Sequence, residues 1–349
     1  MVDKISQPPR ATLRQVAALS GVSLKTASRA MNSEPHVSDG VRSRVLAAAQ
    51  QLGFRRNSLA RDFRTGARST SVAFIMGDVS NPFYARIARG AERRLRDEGL
   101  QLVSASSDED PARERALIDD MIERRVSALL IVSSVHDHRF LEPERRLGTP
   151  VVFLDRPPDH IVADSVVIGN AAGMGQAVAH LLKAGHRRIG LVGDLRRLST
   201  HRERVEGFAT AMRSGGIADW ERYVRADSHD IPAAEAAVAD LLASPEPPTA
   251  LITTNNRITT GALRALRSRP HPPALIGFDE FELAELLGVS VISHDPERMG
   301  EIGADLVIGR LAGSDEPPRS IVLPTRLVVR DSSERRHGLG ATKADGDET

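Results

Sequence analysis

Hydrophobic and polar residues follow two different periods along the chain, one before residue 71 and one after it. In the first part, apolar residues recur at the spacing of one helix face in three short stretches. Gly21 separates the first two stretches, and a glycine can adopt the positive φ that a tight turn between helices needs. The pattern predicts a small all-α helix-turn-helix domain over residues 11–56. The apolar positions are Leu13, Val16, Ala17 and Leu19, then Leu24, Ala27, Ala30 and Met31, and finally Val41, Val45, Leu46, Ala49 and Leu52.

From Ser71 onward, apolar runs of strand length alternate with helical stretches. The runs are "SVAFIM", "LQLVSAS", "SALLIV", "PVVFLD", "RIGLVG", "TALITT" and "ALIGF". Such alternation is typical of parallel sheets flanked by helices. Because about 260 residues are more than one ordinary doubly wound domain holds, we predict an α/β body of two lobes over residues 71–331.

The composition of the 349 residues narrows the class of protein. Hydrophobic residues make up 41% of the chain, yet no window approaches the roughly 18 uncharged apolar residues of a membrane span. The N-terminal stretch "MVDKISQPPR" lacks the apolar region of a secretory signal. The chain has no cysteine, which excludes disulfides and thiolate metal sites. We therefore predict a cytoplasmic protein without a membrane partner.

The net charge of +1 hides an uneven distribution. Residues 1–68 contain 12 Lys and Arg against 4 Asp and Glu, whereas the remainder contains 35 basic and 42 acidic residues. A basic head on a mildly acidic body favours an anionic polymer as the partner of the head alone. A solubility tag or a disordered arm is the alternative, but the helical pattern of the head favours a nucleic-acid-binding domain.

The second predicted helix carries a polar face suited to DNA. Lys25 and Arg29 are four residues apart and therefore lie on one helix face, beside Thr26 and Ser28. The long Lys and Arg side chains can donate hydrogen bonds to base edges, and the Thr and Ser hydroxyl groups can reach phosphate oxygens. A recognition helix in the major groove of double-stranded DNA needs this arrangement.

Several motifs resemble the lactose-repressor family of bacterial transcription regulators. They are "TLRQVAALSGVSLKTASRAMN", "VSDGVRSRVLAAAQQLGF", "RNSLARDFRTG", "GDVSNPFYARIARGAE", "LDRP", "RERVEGF", "LIGFDE" and "LPTRLVVRDSS". The resemblance covers about residues 11–333, in the order of the family. It implies a homodimeric repressor with a helix-turn-helix head and a two-lobed periplasmic-binding-protein-like body that senses a small molecule.

The resemblance also assigns DNA-binding positions. Leu24, Lys25 and Arg29 fall where the family reads the bases of a palindromic operator, although Leu24 could instead pack inside the head. The positions that contact phosphates or cap a helix are Thr12, Ser23, Thr26, Ser28 and Asn32.

Residues 57–70 correspond to the hinge helix and linker of the family. Asn57 can cap a short helix, and Ala60 is small enough for two such helices to approach closely. Phe63 stands at the position that inserts into the minor groove, where a Leu is usual. A plain linker helix with Phe63 packed on the body is the alternative.

By resemblance, the chain crosses between the lobes three times, near 161, 293 and 323. Lobe 1 is then about 71–160 and 294–322, and lobe 2 is about 161–293 and 323–331. Residues 332–349 are polar and predicted to form a disordered tail. The tail has no leucine heptad, which favours a dimer over a tetramer.

Polar side chains follow the predicted strands, where ligands bind in parallel sheets. Carboxylates and amides bind sugar hydroxyls, Arg donates in a fork, and an aromatic ring covers the apolar side of a sugar. The resemblance places the sugar pocket of the family at seven of these positions, and we predict a small sugar or polyol effector. The candidates are Asp78, Asn81, Phe83, Asp155, Arg156, Arg204, Asn255, Asp279 and His294.

Departures from the family leave the effector open. Asn256 replaces the usual Asp, His294 stands where Gln is usual, and His229 falls near a position that is often aromatic. A histidine titrates near neutral pH, so its presence indicates a pH-dependent site. A nucleoside-like ligand and a protein coregulator are the alternatives to a sugar.

An enzyme is the remaining alternative, in the form of a sugar hydrolase or transferase. The stretch "GNAAGMGQA" lacks the spacing of a dinucleotide loop, and the chain contains neither a phosphate-binding loop nor a nucleophile elbow. His136 and His138 form an isolated His-x-His pair. We predict no catalytic residues, no cofactor and no metal.

Overall fold

The computed structural model describes residues 11–54 and 69–334. The chain divides into two compact units, one ending at Ser69 and the other beginning at Thr70, which we call the head and the body. Most of the predicted hinge helix, including Asn57, Ala60 and Phe63, lies outside the described residues, as does the tail after Glu334.

The described part of the head contains three helices: α1 (Leu13–Ser20), α2 (Leu24–Met31) and α3 (Asp39–Gln51). Thr12 begins α1 with a capping box, because its side chain accepts from Gln15 N while the Gln15 side chain accepts from Thr12 N at 2.7 Å. Gly21 ends α1 with a φ of 67°. The predicted helix-turn-helix is therefore confirmed, and its core contains Val16, Ala17, Ala27, Ala30, Val45, Ala48 and Ala49.

The predicted packing is wrong at Leu19 and Leu46, which are each 48% exposed. The buried face of α1 follows Leu13 at steps of three, four and seven residues. Of the pair Leu19 and Ser20, which were both expected on this face, only Ser20 is buried. The Ser20 hydroxyl compensates for its own burial by donating to Val16 O at 2.7 Å.

The body contains two six-stranded sheets that are parallel except at one edge pair, β10 with β12. The first sheet has the order β11-β5-β4-β3-β1-β2, and the second has the order β12-β10-β9-β8-β6-β7. The strands are β1 (Ser71–Met76), β2 (Gln101–Ser106), β3 (Ala128–Ile131), β4 (Val151–Asp155), β5 (Asp164–Ile168), β6 (Ile189–Val192), β7 (Val224–Arg225), β8 (Ala250–Thr253), β9 (Ala274–Phe278), β10 (Ser290–Ser293), β11 (Ser320–Leu323) and β12 (Arg326–Val328).

Eight α-helices of the described body lie between these strands. They are α4 (Pro82–Asp97), α5 (Pro111–Glu123), α6 (Glu142–Arg146), α7 (Asn170–Lys183), α8 (Ser199–Ser214), α9 (Ile231–Ala243), α10 (Asn256–Leu266) and α11 (Pro296–Leu311). Each sheet with its helices forms one lobe, with a buried core of Val, Ile, Leu and Phe between the layers.

The first crossing between the lobes differs from the prediction. Strand β5 pairs with β4 and β11 in the first sheet, so the chain enters the second lobe after Ile168 rather than near 161. The cause is the buried run of β5, which completes the first sheet beside β4. The other two crossings lie between β10 and α11 and between β11 and β12.

The start of the predicted tail is also corrected. Ser332 and Ser333 are buried in a short 3-10 helix (Asp331–Ser333) and are part of the second lobe. The Ser332 hydroxyl donates to Leu275 O at 2.6 Å and accepts from Ser290 N at 2.8 Å. These bonds satisfy polar atoms at the sheet edge, so the body extends through Glu334.

Among the described helices, none combines the length and the apolar character needed to cross a membrane.

Candidate functional site

The polar face of α2 is exposed, as a DNA-reading helix requires. Lys25 and Arg29 are exposed, and Leu24 is 47% exposed rather than packed in the core. The buried side of α2 consists of Ala27 and Ala30, whose small side chains let the helix lie close to α1 and α3. Leu24 is therefore free to contact a thymine methyl group or a sugar.

The polar neighbours of this face have specific local bonds. Ser23 caps α2, because Thr26 N donates to Ser23 Oγ at 3.1 Å, and the hydroxyls of Ser23 and Thr26 lie 2.8 Å apart. Asn32 Nδ2 donates to Glu34 Oε1 at 2.9 Å, and the Arg29 guanidinium lies 3.7 Å from the Glu34 carboxylate. The sequence analysis missed Glu34, which orients Arg29 by an exposed and therefore weak ion pair.

Two buried carboxylates occupy strand ends in opposite lobes of the body. Asp155 is the last residue of β4, and Asp279 directly follows β9. Their φ angles are 64° and 71°, a left-handed conformation that is uncommon for non-glycine residues. Such strain concentrates at functional sites, where the surrounding structure holds it in place.

Asp279 is held by a hydrogen bond with His294, whose Nε2 lies 2.9 Å from Asp279 Oδ1. Burial opposes the ionisation of Asp279, yet the hydrogen bond from His294 and the charge of Arg204 lower its pKa. Phe83 packs edge-on against the His294 ring with 5.5 Å between the ring centroids. The structure thus brings together predicted residues from both lobes.

Arg204 lies on α8 with its guanidinium stacked on the Phe278 ring, 3.8 Å from the centroid. Its Nε donates to Asn170 Oδ1 at 2.8 Å, and its Nη1 donates to Thr254 O. The sequence analysis missed Asn170 and Phe278 as supports, because no local pattern shows which side chains α8 will face.

Arg156 forms a buried ion pair with Glu109, which the sequence analysis also missed. Arg156 Nη1 donates to Glu109 Oε2 at 2.7 Å and Nη2 donates to Oε1 at 2.8 Å. Burial and the neighbouring Glu109 raise the pKa of Tyr84 well above its usual value. Burial also raises the pKa of Asp155, against the nearby charges of Arg156 and Arg204.

Direct bonds join the two lobes beside these residues. Asn81 caps α4 by accepting from Phe83 N at 3.0 Å, and it also accepts from Asn256 Nδ2 at 2.9 Å. Arg257 donates to Ser80 Oγ at 2.9 Å and forms an ion pair with Asp78. Asp78 is therefore engaged in an interlobe ion pair.

Asn255 holds neighbouring residues in place through both ends of its side-chain amide. Its Oδ1 accepts from Ile258 N at 2.8 Å to cap α10, and its Nδ2 donates to Asp194 Oδ2 at 2.8 Å. Asp194 in turn accepts from His229 Nδ1 at 2.8 Å. Both side-chain atoms of Asn255 thus have protein partners, and Asp194 and His229 join the site as residues outside the predicted set.

Several buried polar atoms in the cleft between the lobes have no hydrogen-bond partner among the described residues. Asp155 Oδ1, Asn256 Oδ1 and His294 Nδ1 come from three different strand ends. An unsatisfied buried polar atom costs about 1–3 kcal/mol, and such atoms require an explanation in a folded protein. A bound polar ligand would satisfy them.

The described residues contain no group of three or more His, Cys, Asp or Glu side chains placed to hold a metal ion. His138, one half of the His-x-His pair, is buried with its Nε2 2.8 Å from Ser133 Oγ and its Nδ1 accepting from Asp159 N at 2.8 Å. Burial lowers the pKa of His138. These bonds give it a structural role.

A helix-turn-helix head and a two-lobed body with a polar cleft define a ligand-responsive DNA-binding regulator. Residues 12–57 match the model of bacterial regulatory proteins of the lacI family, and residues 178–333 match a periplasmic binding protein-like domain. The chain is 30% identical over 337 residues to the HTH-type transcriptional regulator CelR of Thermobifida fusca, covering 93% of this chain and 98% of the relative.

Other comparisons agree. The chain is 27% identical over 330 residues to the ribose operon repressor of Escherichia coli K12, covering 93% of this chain and the whole relative. A lacI-family regulator from Silicibacter pomeroyi has the same fold, with a TM-score of 0.81, 27% identity and coverage of 93% of this chain and all of the other. The chain belongs to the lacI family of bacterial regulatory proteins.

The family membership confirms the predicted function class. The chain is a DNA-binding transcriptional repressor controlled by a small-molecule effector, and it binds operator DNA. The alternative of a sugar-acting enzyme is set aside, because the relatives are regulators rather than enzymes.

Proposed function

We propose that the chain is a homodimeric repressor whose affinity for a palindromic operator is controlled by a small sugar or polyol bound between the two lobes. The observation that carries the effector site is the set of buried, unpartnered atoms Asp155 Oδ1, Asn256 Oδ1 and His294 Nδ1. Hydroxyl groups can donate to the two oxygens and can either donate to or accept from the imidazole nitrogen, so a polyhydroxylated molecule fits their chemistry.

The arrangement of charges supports the same ligand class. Asp155 from the first lobe and Asp279 and Arg204 from the second act on one another electrostatically. A ligand that contacts Asp155 and Asp279 bridges the lobes, and only such a ligand can favour one interlobe arrangement over another. Phe83 and the Phe278–Arg204 stack supply apolar surface beside the polar atoms.

The relatives support a sugar more than the alternatives. Two names among them contain a sugar: the ribose operon repressor, and the structure of the CelR–cellobiose complex, which is 29% identical with a TM-score of 0.68. For this chain we propose a ligand of the same general class, with its identity left to experiment. If no sugar binds, a nucleoside-like ligand and a protein coregulator are the alternative effectors.

The head supports operator recognition through α2. Lys25 and Arg29 donate to base edges, Leu24 makes an apolar contact, and the polar residues at the helix ends position the helix on phosphates. A dimer presents two such helices, which matches a palindrome with half-sites one or more helical turns apart. The phosphate-facing or capping set is Thr12, Ser23, Thr26, Ser28 and Asn32. The hinge residues Asn57, Ala60 and Phe63 remain sequence-based assignments.

An exposed apolar segment supports the dimer. Leu283, Leu286 and Leu287 of the second lobe are 53%, 80% and 50% exposed. Neighbouring exposed leucines mark an interaction surface more often than isolated ones do. The dimer acts in the cytoplasm, where it associates with the nucleoid when it is bound to DNA.

The test has two stages. Genomic DNA retained by the purified full-length chain is sequenced, and the bound fragments should share one inverted repeat. The same protein is then screened for thermal stabilisation against neutral pentoses and hexoses, their monophosphates, sugar acids and nucleosides. Stabilisation by one sugar and release from the repeat support the proposal, whereas random DNA fragments or a nucleoside as the sole stabilising ligand contradict it.

A further inference from the structure

A cavity of about 350 Å³ extends the cleft beyond the strand-end carboxylates. Both lobes line it: Ser134 and Arg156 belong to the first lobe, and Arg197, Ser199 and Arg202 belong to the second. Arg156 connects this cavity to the proposed sugar site, because its Nε lies 3.7 Å from Asp155 Oδ2. A ligand in that site can extend into it.

Three arginines line the cavity, and two of them carry buried N–H groups without partners. Arg156 is only 4% exposed, and its Nε lies 3.7 Å from Asp155 Oδ2 but has no hydrogen-bond acceptor among the described residues. Arg197 Nη2 donates across the cleft to Glu109 O, but its Nη1 is buried and unpartnered within the same described range. Unpaired guanidinium donors from opposite lobes point to a missing acceptor between them.

The charges of Arg197 and Arg202 are also uncompensated. Arg202 donates to Arg197 O, and for neither arginine does the described part of the chain supply a carboxylate partner. By contrast, the adjacent Arg196 pairs with Asp227 at 3.0 Å.

The first turn of α8 adds backbone donors to the same wall. This helix of 16 residues begins at Ser199 after Leu198, and no side chain caps it. The first N–H groups of a helix lack internal partners, and the helix dipole favours an anion there. Uncapped backbone donors and unpaired arginines therefore converge on one region.

Acidic residues line the cavity as well, and they restrict the kind of ligand. Glu203, Glu206 and Asp159 contribute carboxylates, of which Glu203 Oε2 already accepts from Asn170 Nδ2 at 2.8 Å. A ligand that is anionic throughout would be repelled by them. A ligand with one anionic group and several hydroxyls fits, since carboxylates accept hydroxyl donors while the arginines bind the anion.

We propose that the effector is an anionic sugar derivative whose oxyanion group binds to Arg197, Arg202, the Nε of Arg156 and the first turn of α8. This inference rests on the proposed sugar-binding function and specifies the class of sugar. A phosphate ester and a sugar carboxylate share this chemistry, because both present oxygens that a guanidinium fork binds in pairs.

The first test uses inorganic phosphate and acetate as probes of the full-length chain, titrated by calorimetry at constant ionic strength in chloride. Arg197→Ala and Arg202→Ala should each weaken oxyanion binding by about 10- to 100-fold, as the loss of a charge-assisted hydrogen bond implies. Arg196→Ala is the matched control and should bind as the wild type does. If phosphate binds more strongly than acetate, the anionic group of the effector is a phosphate ester. If acetate binds more strongly, the group is a carboxylate.

The inference is overturned if neither phosphate nor acetate binds to the wild-type chain. It is also overturned if Arg197→Ala binds phosphate with wild-type affinity.

The second test compares neutral pentoses and hexoses with their monophosphates and uronates. The anionic member of the best pair should bind more tightly, and Arg197→Ala should remove that advantage without changing the affinity of the neutral sugar. If a neutral sugar binds as well as its anionic forms, the inference is wrong and the sugar-binding function stands. If phosphate binds but no sugar of any form does, the anion site stands and the sugar-binding function is wrong.

Discussion

Asn81 and Asn256 are 175 residues apart in the sequence, yet Asn256 Nδ2 donates to Asn81 Oδ1 at 2.9 Å across the two lobes. Each amide also belongs to a helix start, since Asn81 caps α4 and Asn256 is the first residue of α10. The bond therefore ties the relative position of two helices to the cleft, where Asn256 Oδ1 is buried and unpartnered. A ligand that satisfies this oxygen acts on the interlobe contact directly.

The first prediction concerns this amide pair. Asn256→Asp replaces the amide nitrogen that donates to Asn81 Oδ1 with a carboxylate oxygen. Two buried hydrogen-bond acceptors then face each other. We expect effector affinity to fall by roughly 2- to 13-fold, the range for loss of one hydrogen bond. Calorimetry measures the effector affinity, and operator binding in the absence of effector is the control. Unchanged effector affinity would remove Asn256 from the site.

The second prediction concerns operator reading by Arg29, which is exposed on α2. Arg29→Ala should lose about 1–3 kcal/mol of discrimination at one operator position while retaining weak, salt-sensitive binding. Arg44→Ala, on the exposed side of α3, should leave discrimination intact. The measurement is a competition of specific against random DNA. Equal loss on both would make Arg29 a phosphate contact.

The third prediction concerns the buried ion pair of Glu109 with Arg156. Glu109→Gln leaves a buried guanidinium charge without its partner, and we expect it to destabilise the body by about 3–5 kcal/mol. Arg156→Met combined with Glu109→Gln should cost less than Glu109→Gln alone, because the buried guanidinium that Glu109 neutralises is then removed as well. Chemical denaturation of the three proteins tests this. A double variant that is less stable than Glu109→Gln contradicts the explanation.

The fourth prediction concerns pH. The hydrogen bond with Asp194 raises the pKa of His229, so its contribution to stability is complete below the ordinary histidine pKa of about 6.5 and is lost as pH rises through the raised pKa. The stability of the wild type relative to His229→Gln should therefore decrease with pH above about 6.5. Thermal unfolding from pH 5 to pH 9 measures the difference.

His201 supplies the control of opposite sign. Burial lowers the pKa of His201, so the unfolded chain takes up the proton first as pH falls below about 6.5. The stability of the wild type relative to His201→Gln should therefore increase with pH until about pH 6.5 and then stay constant. Parallel profiles for the two variants would contradict at least one of the two assignments.

Local rules predicted the fold and part of the site from the sequence. Asp155 and Asp279 were proposed as site residues because parallel strands end at one edge of a sheet, and polar residues at those ends converge. The same rule could have identified Glu109 and Asp194, which follow β2 and β6 in the same way. The helix-turn-helix was confirmed because its caps and its Gly21 turn are local signals.

Long-range pairing was harder to predict. The run Asp164–Ile168 was not among the predicted strands, and nothing within it shows which sheet it joins. The first crossing was taken from the resemblance and was misplaced. Likewise, Arg156 was predicted to face the ligand, whereas its two Nη atoms bind Glu109, which is 47 residues away in the sequence. Such partners depend on tertiary packing.

Asp279 provides the strongest single-residue test of the effector site. Its carboxylate is buried, held by His294 and close to Arg204. Asp279→Asn should abolish effector binding while leaving operator binding intact, because the head is a separate compact unit. Normal effector binding by this variant would show that the site has been placed incorrectly.

The central claim is that effector and operator binding are coupled through one dimer. The most direct measurement is calorimetric titration of the full-length chain with the tightest sugar ligand, once alone and once saturated with operator DNA. We predict that operator changes the affinity for the sugar by 5- to 150-fold, the usual range of allosteric coupling, and that the sugar changes the affinity for operator by the same factor. Identical sugar affinities with and without operator would contradict the account.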